Sequence, residues 1–268
     1  MRDVVRKHWP EYLMEAGGLG VFMLSACGFG TLLGYPGSPV VRAIPSPMLR
    51  QILMGLAMGL TNLGIIYSPW GQRSGAHLNP AVTLTFYRLG KVAPWDAIFY
   101  ALSQFIGGIL GVQIAAQALG MALSQPPVMH VVTLPGSGGP LVAFLAEVVI
   151  TFLLMTVVLH ISNTRRIARY TGLFASLLVM LYISLEAPLS GMSMNPARTF
   201  GSAFAAHLWT ALWVYFLAPP LGMLLAAELY VQRKGRESVF CAKLHHQNPT
   251  RCIFCAHQSM RRIDREPN

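Results

Sequence analysis

Two stretches of the chain share one pattern: SGAHLNPA at residues 74–81 and SGMSMNPA at residues 190–197. Asn is favoured at a helix N-cap, and Pro is favoured at the first helical position because its missing N–H would go unpaired there. Each copy therefore predicts a helix start, with free backbone N–H groups and the positive end of a helix dipole. One Asn-Pro alone is equally consistent with a turn, but an internal repeat indicates that the two halves share one architecture.

The composition is that of a polytopic membrane protein. Of 268 residues, 54% are hydrophobic and 11% are charged, whereas soluble domains carry about 25% charged residues. The net charge of +10 does not indicate nucleic-acid binding, because most Lys and Arg lie in the termini and in loops between apolar runs. Positive charge on cytoplasmic loops explains the excess, and we expect no nucleic-acid partner.

The apolar runs predict an all-α membrane fold. A membrane-spanning helix needs about 20 residues, and the segments that follow the two repeats, 82–89 and 198–207, are too short to span. We expect each to enter the membrane and return, or to lie buried against other helices. The prediction is six transmembrane helices plus two re-entrant half-helices. The six runs lie at residues 16–41 (with a loop at 34–39), 52–72, 97–123, 141–161, 170–185 and 208–227.

The distribution of Lys and Arg predicts the orientation. With six spans, the N-terminal arm, the loop at 165–169 and the C-terminal tail lie on one side, and they hold fourteen of the twenty Lys and Arg residues. Cytoplasmic loops carry such an excess, so both termini are predicted to be cytoplasmic. The membrane is predicted to be the plasma (inner) membrane.

This orientation makes the chain an inverted repeat of three spans and one half-helix. Glu15 and Glu147 occupy matching places in the first span of each half. Half-helices that enter from opposite faces would bring Asn79 and Asn195 together near the midplane, N-terminus to N-terminus. Transporters built from inverted repeats and discontinuous helices form their binding sites in this way.

Six spans, two Asn-Pro-Ala boxes and a Glu in spans one and four resemble the aquaporins, or major intrinsic proteins, over about residues 11–230. The resemblance implies a homotetramer in the lipid bilayer, with one passive pore per subunit for water or small neutral solutes. It implies no enzyme activity, no required cofactor, and exclusion of protons and ions. The predicted divisions are a cytoplasmic arm at 1–11, a channel domain at 12–231 with repeats at about 12–124 and 140–231, and a cytoplasmic tail at 232–268.

The resemblance assigns roles to individual residues. Asn79 and Asn195 match the central pair, whose side-chain amides donate hydrogen bonds to a passing water. Arg198, directly after the second box, matches the arginine of the outer constriction. An arginine at this depth is expensive unless it lines a wet cavity, so a purely structural ion pair is the weaker interpretation.

The rest of the selectivity filter is predicted by counting from the motifs. Without a gap, Ile183 falls where water-selective members usually have His, and Met192 falls at the loop position. Span two places Met58 at the site of the family's aromatic residue, with Gly59 as the alternative. The predicted filter of Met58, Ile183, Met192 and Arg198 is less hydrophilic than the family's strict water filter.

Other positions favour the water branch of the family. Thr199, Ala203 and the pair Tyr215-Phe216 resemble water channels, whereas glycerol facilitators usually have Asp and Arg at the first two places and Pro with an aliphatic residue at the last two. We therefore expect water as the main solute, with glycerol or hydrogen peroxide as open alternatives. A glycerol-type facilitator is the nearest rival.

Two rivals belong to other classes. A poorly conducting structural membrane protein is disfavoured because both boxes and Arg198 are intact. A coupled transporter would need ionisable residues at the midplane, and Glu15 and Glu147 are its only candidates. The family resemblance favours a structural role over a proton relay for these two acids, because in the family such a carboxylate accepts backbone N–H bonds from an inward-folded loop. His77 is predicted to line the cytoplasmic vestibule and titrate near neutrality, or alternatively to fix the loop by a hydrogen bond.

The tail contains a set of metal-ligating residues outside the resemblance. Cys241, His245 or His246, Cys252 and Cys255 would supply four ligands suited to tetrahedral zinc, although their spacing matches no standard motif. The alternative is a disordered basic tail with exposed thiols. The tail is therefore a candidate site for a structural zinc ion, in addition to a channel that needs no cofactor.

Overall fold

The computed structural model describes residues 2–255, and over that range the chain is helical without a β-strand. Met1 and residues 256–268, the end of the predicted tail, lie outside the described residues. Eight principal helices are connected by short helices at Pro39–Ala43, Pro69–Ser74, Met121–Ser124 and Ala187–Ser190 and by 3₁₀ turns at Met129–Val131 and Ala168–Tyr170. A further 3₁₀ turn at Arg236–Ser238 follows the last of them. These eight are α1 (Arg2–Gly34), α2 (Pro47–Tyr67), α3 (Pro80–Arg88), α4 (Pro94–Leu119), α5 (Gly139–Ser162), α6 (Thr171–Leu185), α7 (Pro196–Ala206) and α8 (Leu212–Lys234).

Six helices of the described chain are long and apolar enough to cross a membrane: α1, α2, α4, α5, α6 with the turn before it, and α8. The other two principal helices, α3 and α7, are the short segments that follow the repeats. The predicted all-α fold with six spans and two half-helices is confirmed.

The first helix is longer than the sequence predicted. Helix α1 begins at Arg2, and it includes residues 2–11, the part of the predicted cytoplasmic arm that the structure describes. Contacts with other elements fix its early turns: the Tyr12 hydroxyl donates to Asp96 Oδ1 at 2.6 Å, and Arg73 Nε donates to Glu11 Oε1 at 3.0 Å. These bonds hold the end of the predicted arm against the membrane domain.

Both half-helices begin at the Asn-Pro boxes, as the capping argument predicts. Asn79 Oδ1 accepts the backbone N–H of Ala81 at 2.9 Å, and Asn195 Oδ1 accepts that of Ala197 at 3.0 Å. The proline after each Asn takes the first helical position, where it leaves no donor unpaired.

The packing of helices repeats between the halves. Helix α1 packs along α4 and α5 packs along α8, while α2 and α6, which occupy equivalent places, pack against each other. Each half-helix packs against the last span of the other half: α3 on α8, and α7 on α4. The two repeats therefore interlock, and the half-helices are held between them.

Glycines permit the closest of these contacts. A Cβ added to Gly107 in α4 would lie 2.1 Å from the carbonyl oxygen of Ala16 in α1. A Cβ added to Gly222 in α8 would lie 2.4 Å from that of Val148 in α5. Small residues at such interfaces let backbones approach closely in a bilayer. The approach brings Glu15 and Glu147, next to Ala16 and Val148, towards the centre of the molecule.

Candidate functional site

A cavity of about 440 Å³ lies between the two halves of the chain. Arg251 Nη2 donates to the carbonyl of Lys7 at 3.1 Å, so the start of α1 and the tail lie on one face, which we name the terminal face. The cavity lining includes Arg50 and Gln51 at the start of α2 and, on the terminal face, Leu244 beyond α8. Residues from both repeats line it between these ends.

The two half-helices meet at the cavity through reciprocal hydrogen bonds. Asn79 Nδ2 donates to the carbonyl of Met194 at 2.7 Å, and Asn195 Nδ2 donates to the carbonyl of Leu78 at 2.7 Å. Each asparagine therefore caps its own helix through its oxygen and holds the opposite loop through its nitrogen. Both line the cavity, and the positive ends of both helix dipoles face this point.

Glu15 holds the first loop from inside the protein. The carboxylate is fully buried, with Oε1 accepting the backbone N–H of His77 at 3.1 Å and Oε2 accepting that of Leu78 at 2.6 Å. The Ser74 hydroxyl and the Gln104 amide donate to it at 2.7 Å and 2.8 Å. These four donors compensate the desolvation of the buried carboxylate.

Glu147 makes the same contacts with the second loop. Its Oε1 accepts the backbone N–H of Ser193 at 2.6 Å and the hydroxyl of Ser190 at 2.8 Å, and its Oε2 accepts the backbone N–H of Met194 at 2.7 Å. Both oxygens are thus occupied by donors of one loop, the geometry expected of a residue that fixes that loop.

The two loops have the same unusual backbone. Ala76 and Leu78 have φ of 54° and 50°, and Met192 and Met194, at the matching places, have φ of 51° and 55°. Such left-handed conformations of non-glycine residues cost on the order of 1–3 kcal/mol each and persist only where surrounding contacts determine them. The carboxylate and asparagine bonds supply those contacts.

All four residues predicted for the selectivity filter line the same cavity: Met58, Ile183, Met192 and Arg198. Gly59, the alternative in span two, lies instead against α6, where an added Cβ would be 2.9 Å from the Cβ of Met180. The structure therefore favours Met58 at this position.

Arg198 is fixed by backbone atoms. Its Nη1 donates to the carbonyl of Val131 at 2.8 Å, and its own backbone N–H donates to Asn195 Oδ1 at 3.2 Å. A cation on the first turn of α7 is thus held at the wall of the cavity by the long connection between the two repeats.

Residues 5–230 match the protein family described as Major intrinsic protein. The chain belongs to this family, the aquaporins. Members of the family are membrane channels and not enzymes.

The individual relatives share about a third of their aligned residues with this chain. The chain is 37% identical over 175 residues to a probable aquaporin NIP-type of Nicotiana alata, and 36% identical over 184 residues to Aquaporin NIP1-2 of Arabidopsis thaliana. These alignments cover 64% and 66% of this chain, and the chain spans 62% of the length of each relative. The X-ray structure of the aquaglyceroporin from Plasmodium falciparum matches 83% of this chain and 95% of its own, with a TM-score of 0.68. At 20% identity, that match shows the fold alone.

In this aquaporin, His77 lies at the cavity wall, and its ring also makes hydrogen-bonding contacts. It is 3% exposed and belongs to the cavity lining. Its Nδ1 lies 3.0 Å from the Thr83 hydroxyl within its own repeat, and its Nε2 lies 2.8 Å from the carbonyl of Ala242 in the tail. The histidine therefore joins the first loop to a segment far along the chain.

The tail brings four of the five predicted metal ligands together. One ligand atom from each of Cys241, His246, Cys252 and Cys255 lies within 4.8 Å of every other. His245, the other candidate histidine, lies outside this group and packs against Tyr67 with ring centroids 4.9 Å apart. His246, its neighbour in sequence, supplies the fourth ligand atom, because the His245 ring packs on Tyr67 instead.

Sequence reasoning missed several residues that support the loops. The hydroxyls of Tyr100 and Tyr215 donate to the carbonyls of Ser74 and Ser190 at 2.7 Å and 2.6 Å. A signal for both was present, since each tyrosine follows its Asn-Pro-Ala box at a similar distance in its own repeat. The participation of Leu244 in the cavity lining had no such signal.

We predict that Glu147→Gln destabilises the folded protein by about 1–3 kcal/mol, because one of the two acceptor atoms becomes a donor facing an N–H group. Thermal unfolding of the purified protein in detergent measures the effect. Glu228→Gln is the matched control, since Glu228 is 41% exposed and forms a surface ion pair with Arg88. Equal unfolding temperatures for the two variants would contradict the proposed role of Glu147.

Proposed function

We propose that this aquaporin is a passive, single-file channel for water that excludes protons and ions. The observation that carries the proposal is the meeting of Asn79 and Asn195 at the wall of one cavity, with two helix N-termini directed to the same point. No cofactor or covalent chemistry is needed, since the solute moves down its own gradient.

The two asparagines present donors to the solute. Each side-chain oxygen already caps a helix, and each amide nitrogen has two N–H groups, one of which holds the opposite loop. The second N–H is the group that donates to the oxygen of a passing water. A water that accepts from both amides turns its hydrogens away from the centre, which interrupts a proton wire. The two dipole ends repel cations at the same place.

Arg198 forms the second barrier to cations. Its guanidinium is held by the carbonyl of Val131, so it remains at the cavity wall rather than folding away. Together with Met58, Ile183 and Met192 it would set the width and polarity of the constriction. A fixed positive charge repels cations, and its N–H groups offer hydrogen bonds to a neutral solute.

A second candidate solute is glycerol or another small polyol. The three remaining filter residues are apolar, and an apolar wall favours the carbon chain of a polyol more than a strict water filter does. Hydrogen peroxide has the same hydrogen-bonding groups as water and remains a further candidate. A closed, structural membrane protein is the rival of a different class, and it would conduct none of these solutes.

Assembly and orientation complete the proposal. The family resemblance implies a homotetramer with one pore in each subunit, and the Lys and Arg bias implies that the terminal face is cytoplasmic in a plasma (inner) membrane. Broad apolar helix faces are exposed on the single chain, as expected of surfaces covered by lipid or by neighbouring subunits. The mass of the purified protein in detergent distinguishes a tetramer from a monomer.

We expect liposomes containing the full chain to shrink faster than empty liposomes when sucrose is added outside, followed by stopped-flow light scattering. A metal chelator is present on both sides, because the tail lies at the terminal end of the cavity. In a glycerol gradient, slow re-swelling of the liposomes indicates a constriction that is selective for water. Rapid re-swelling of the liposomes indicates a polyol facilitator. Shrinkage no faster than that of empty liposomes would contradict the channel function and favour a structural protein.

We predict that Arg198→Ala admits larger solutes, because removing the guanidinium widens the constriction and removes its charge. The measurement compares the permeabilities of water, glycerol and larger polyols in the same liposomes. Arg42→Ala, at an exposed arginine outside the cavity lining, is the control and should leave the ranking of solutes unchanged. An unchanged ranking in Arg198→Ala would show that the filter lies elsewhere.

A further inference from the structure

The tail crosses the terminal end of the cavity and bonds to both halves of the channel. On the side of the first repeat, Leu244 N donates to the carbonyl of Gly75 at 3.1 Å, and the Thr250 hydroxyl donates to that of Gln72 at 3.0 Å. On the side of the second repeat, the Phe240 N–H donates to Asn163 Oδ1 at 2.7 Å. Residues 239–255 therefore form a bridge over the terminal end of the cavity, which we name the mouth.

The bridge presents apolar side chains to the channel. Ala242, Leu244, Ile253 and Phe254 are all buried, between 0% and 7% exposed. They belong to the same apolar cluster as the inner wall of the channel, which includes Ile66, Ala76, Val158 and Val179. Leu244 itself lines the cavity. We name these four tail residues the plug.

The plug is seated on His77, a residue of the first loop. The ring of Phe254 stacks on the imidazole with centroids 5.4 Å apart and planes 5° from parallel. The carbonyl of Ala242 lies 2.8 Å from Nε2 of the same imidazole. The plug therefore contacts the loop that carries Asn79, two residues before that asparagine.

Three thiols and one imidazole lie directly beside the plug in an arrangement that fits zinc. A tetrahedral Zn²⁺ site with Zn–S bonds of about 2.3 Å places its sulfur atoms about 3.8 Å apart. The Sγ atom of Cys241 lies 3.5 Å from that of Cys252 and 3.8 Å from that of Cys255. The Sγ atom of Cys255 is also 3.8 Å from Nε2 of His246.

The charge around the cluster also suits the ion. Zn²⁺ with three thiolates and one neutral imidazole carries one net negative charge. Lys243 is 1% exposed, its ammonium donates to the carbonyl of Arg251 at 2.7 Å, and it interacts electrostatically with the three thiols. A buried cation therefore balances the metal centre and ties together the two ends of the segment that contains the ligands.

The chain around the plug residues has little regular secondary structure. Between residues 239 and 252 the chain has only bends and irregular backbone, and helical residues follow at 253–255. Small segments of this kind usually need a metal or cross-links to remain folded, and binding of the metal then supplies their folding free energy. Cys241 and Cys252–Cys255 flank the plug residues, so one ion would fasten both of its ends.

We propose that Zn²⁺ bound by Cys241, His246, Cys252 and Cys255 closes this channel, because the bound ion holds the plug over the mouth on the terminal face. Loss of the ion unfastens residues 239–255 and opens the mouth. The inference rests on the channel function proposed above, and the ion is a regulatory ligand that takes no part in permeation.

The metal site is tested on the full chain, purified and dialysed after addition of zinc. Elemental analysis should give about one zinc per chain, and Co²⁺ in its place should give the visible absorption of a tetrahedral thiolate site. Cys252→Ser with Cys255→Ser should lose the bound metal. His245→Ala is the matched control and should retain it. A wild-type protein that is free of metal would overturn the proposal.

The gate is tested by water efflux from liposomes with either buffered zinc or a chelator on both sides. The wild type and His245→Ala should shrink several-fold more slowly in zinc than in chelator. The double cysteine variant should shrink rapidly in both conditions. Leu244→Ala, which keeps all four ligands, should bind zinc and yet remain permeable in it, because the side chain that fills the mouth is missing.

The outcomes separate the gate from the channel itself. Rapid shrinkage of the wild type in both conditions would overturn the gate and leave the channel function standing. Slow shrinkage in zinc for the double cysteine variant would show that zinc acts elsewhere on the channel and would also overturn the gate. If no variant exceeds empty liposomes in chelator, the channel function fails and the gate fails with it.

Discussion

The structure depends on how the polar backbone of two inward-folded loops is satisfied inside a membrane. The interior of a bilayer has no water that could hydrogen-bond to an exposed N–H group. Irregular backbone at this depth is therefore stable only where protein atoms, or water in a cavity, form hydrogen bonds with it. Glu15 and Glu147 accept two backbone N–H groups each from the loops that precede α3 and α7. Without these carboxylates the left-handed residues of both loops would lose the contacts that determine them.

The same constraint places the functional groups. A loop whose backbone is held by a buried glutamate can direct the first turn of its helix to the centre, and the inverted repeat brings two such turns together. The reciprocal bonds of Asn79 and Asn195 join the halves at that point, and the interlocked packing of α3 on α8 and α7 on α4 prevents them from separating. The donors at the centre follow from this symmetry, and we propose that solute selectivity depends on the less symmetric residues near Arg198.

The features that repeat within the chain could be predicted from its sequence. The half-helices could be predicted from the two Asn-Pro-Ala boxes and the short apolar segments that follow them. The matching places of Glu15 and Glu147 in the first span of each half indicated that both act in the same way. Contacts between remote, non-repeating segments could not be predicted, since they leave no period or motif. Three such contacts depend on how the loops pack in the folded protein. The carbonyl of Val131 accepts from Arg198, His246 rather than His245 joins the three cysteines, and Leu244 N donates to the carbonyl of Gly75.

We propose that water passes between Asn79 and Asn195 while protons do not. Water efflux and proton flux measured in the same liposomes, with a chelator on both sides and a pH-sensitive dye inside, test it most directly. We expect water permeability well above that of empty liposomes and proton permeability equal to theirs. Proton flux that rises together with water flux would contradict it, because the central donors would then not interrupt the chain of waters.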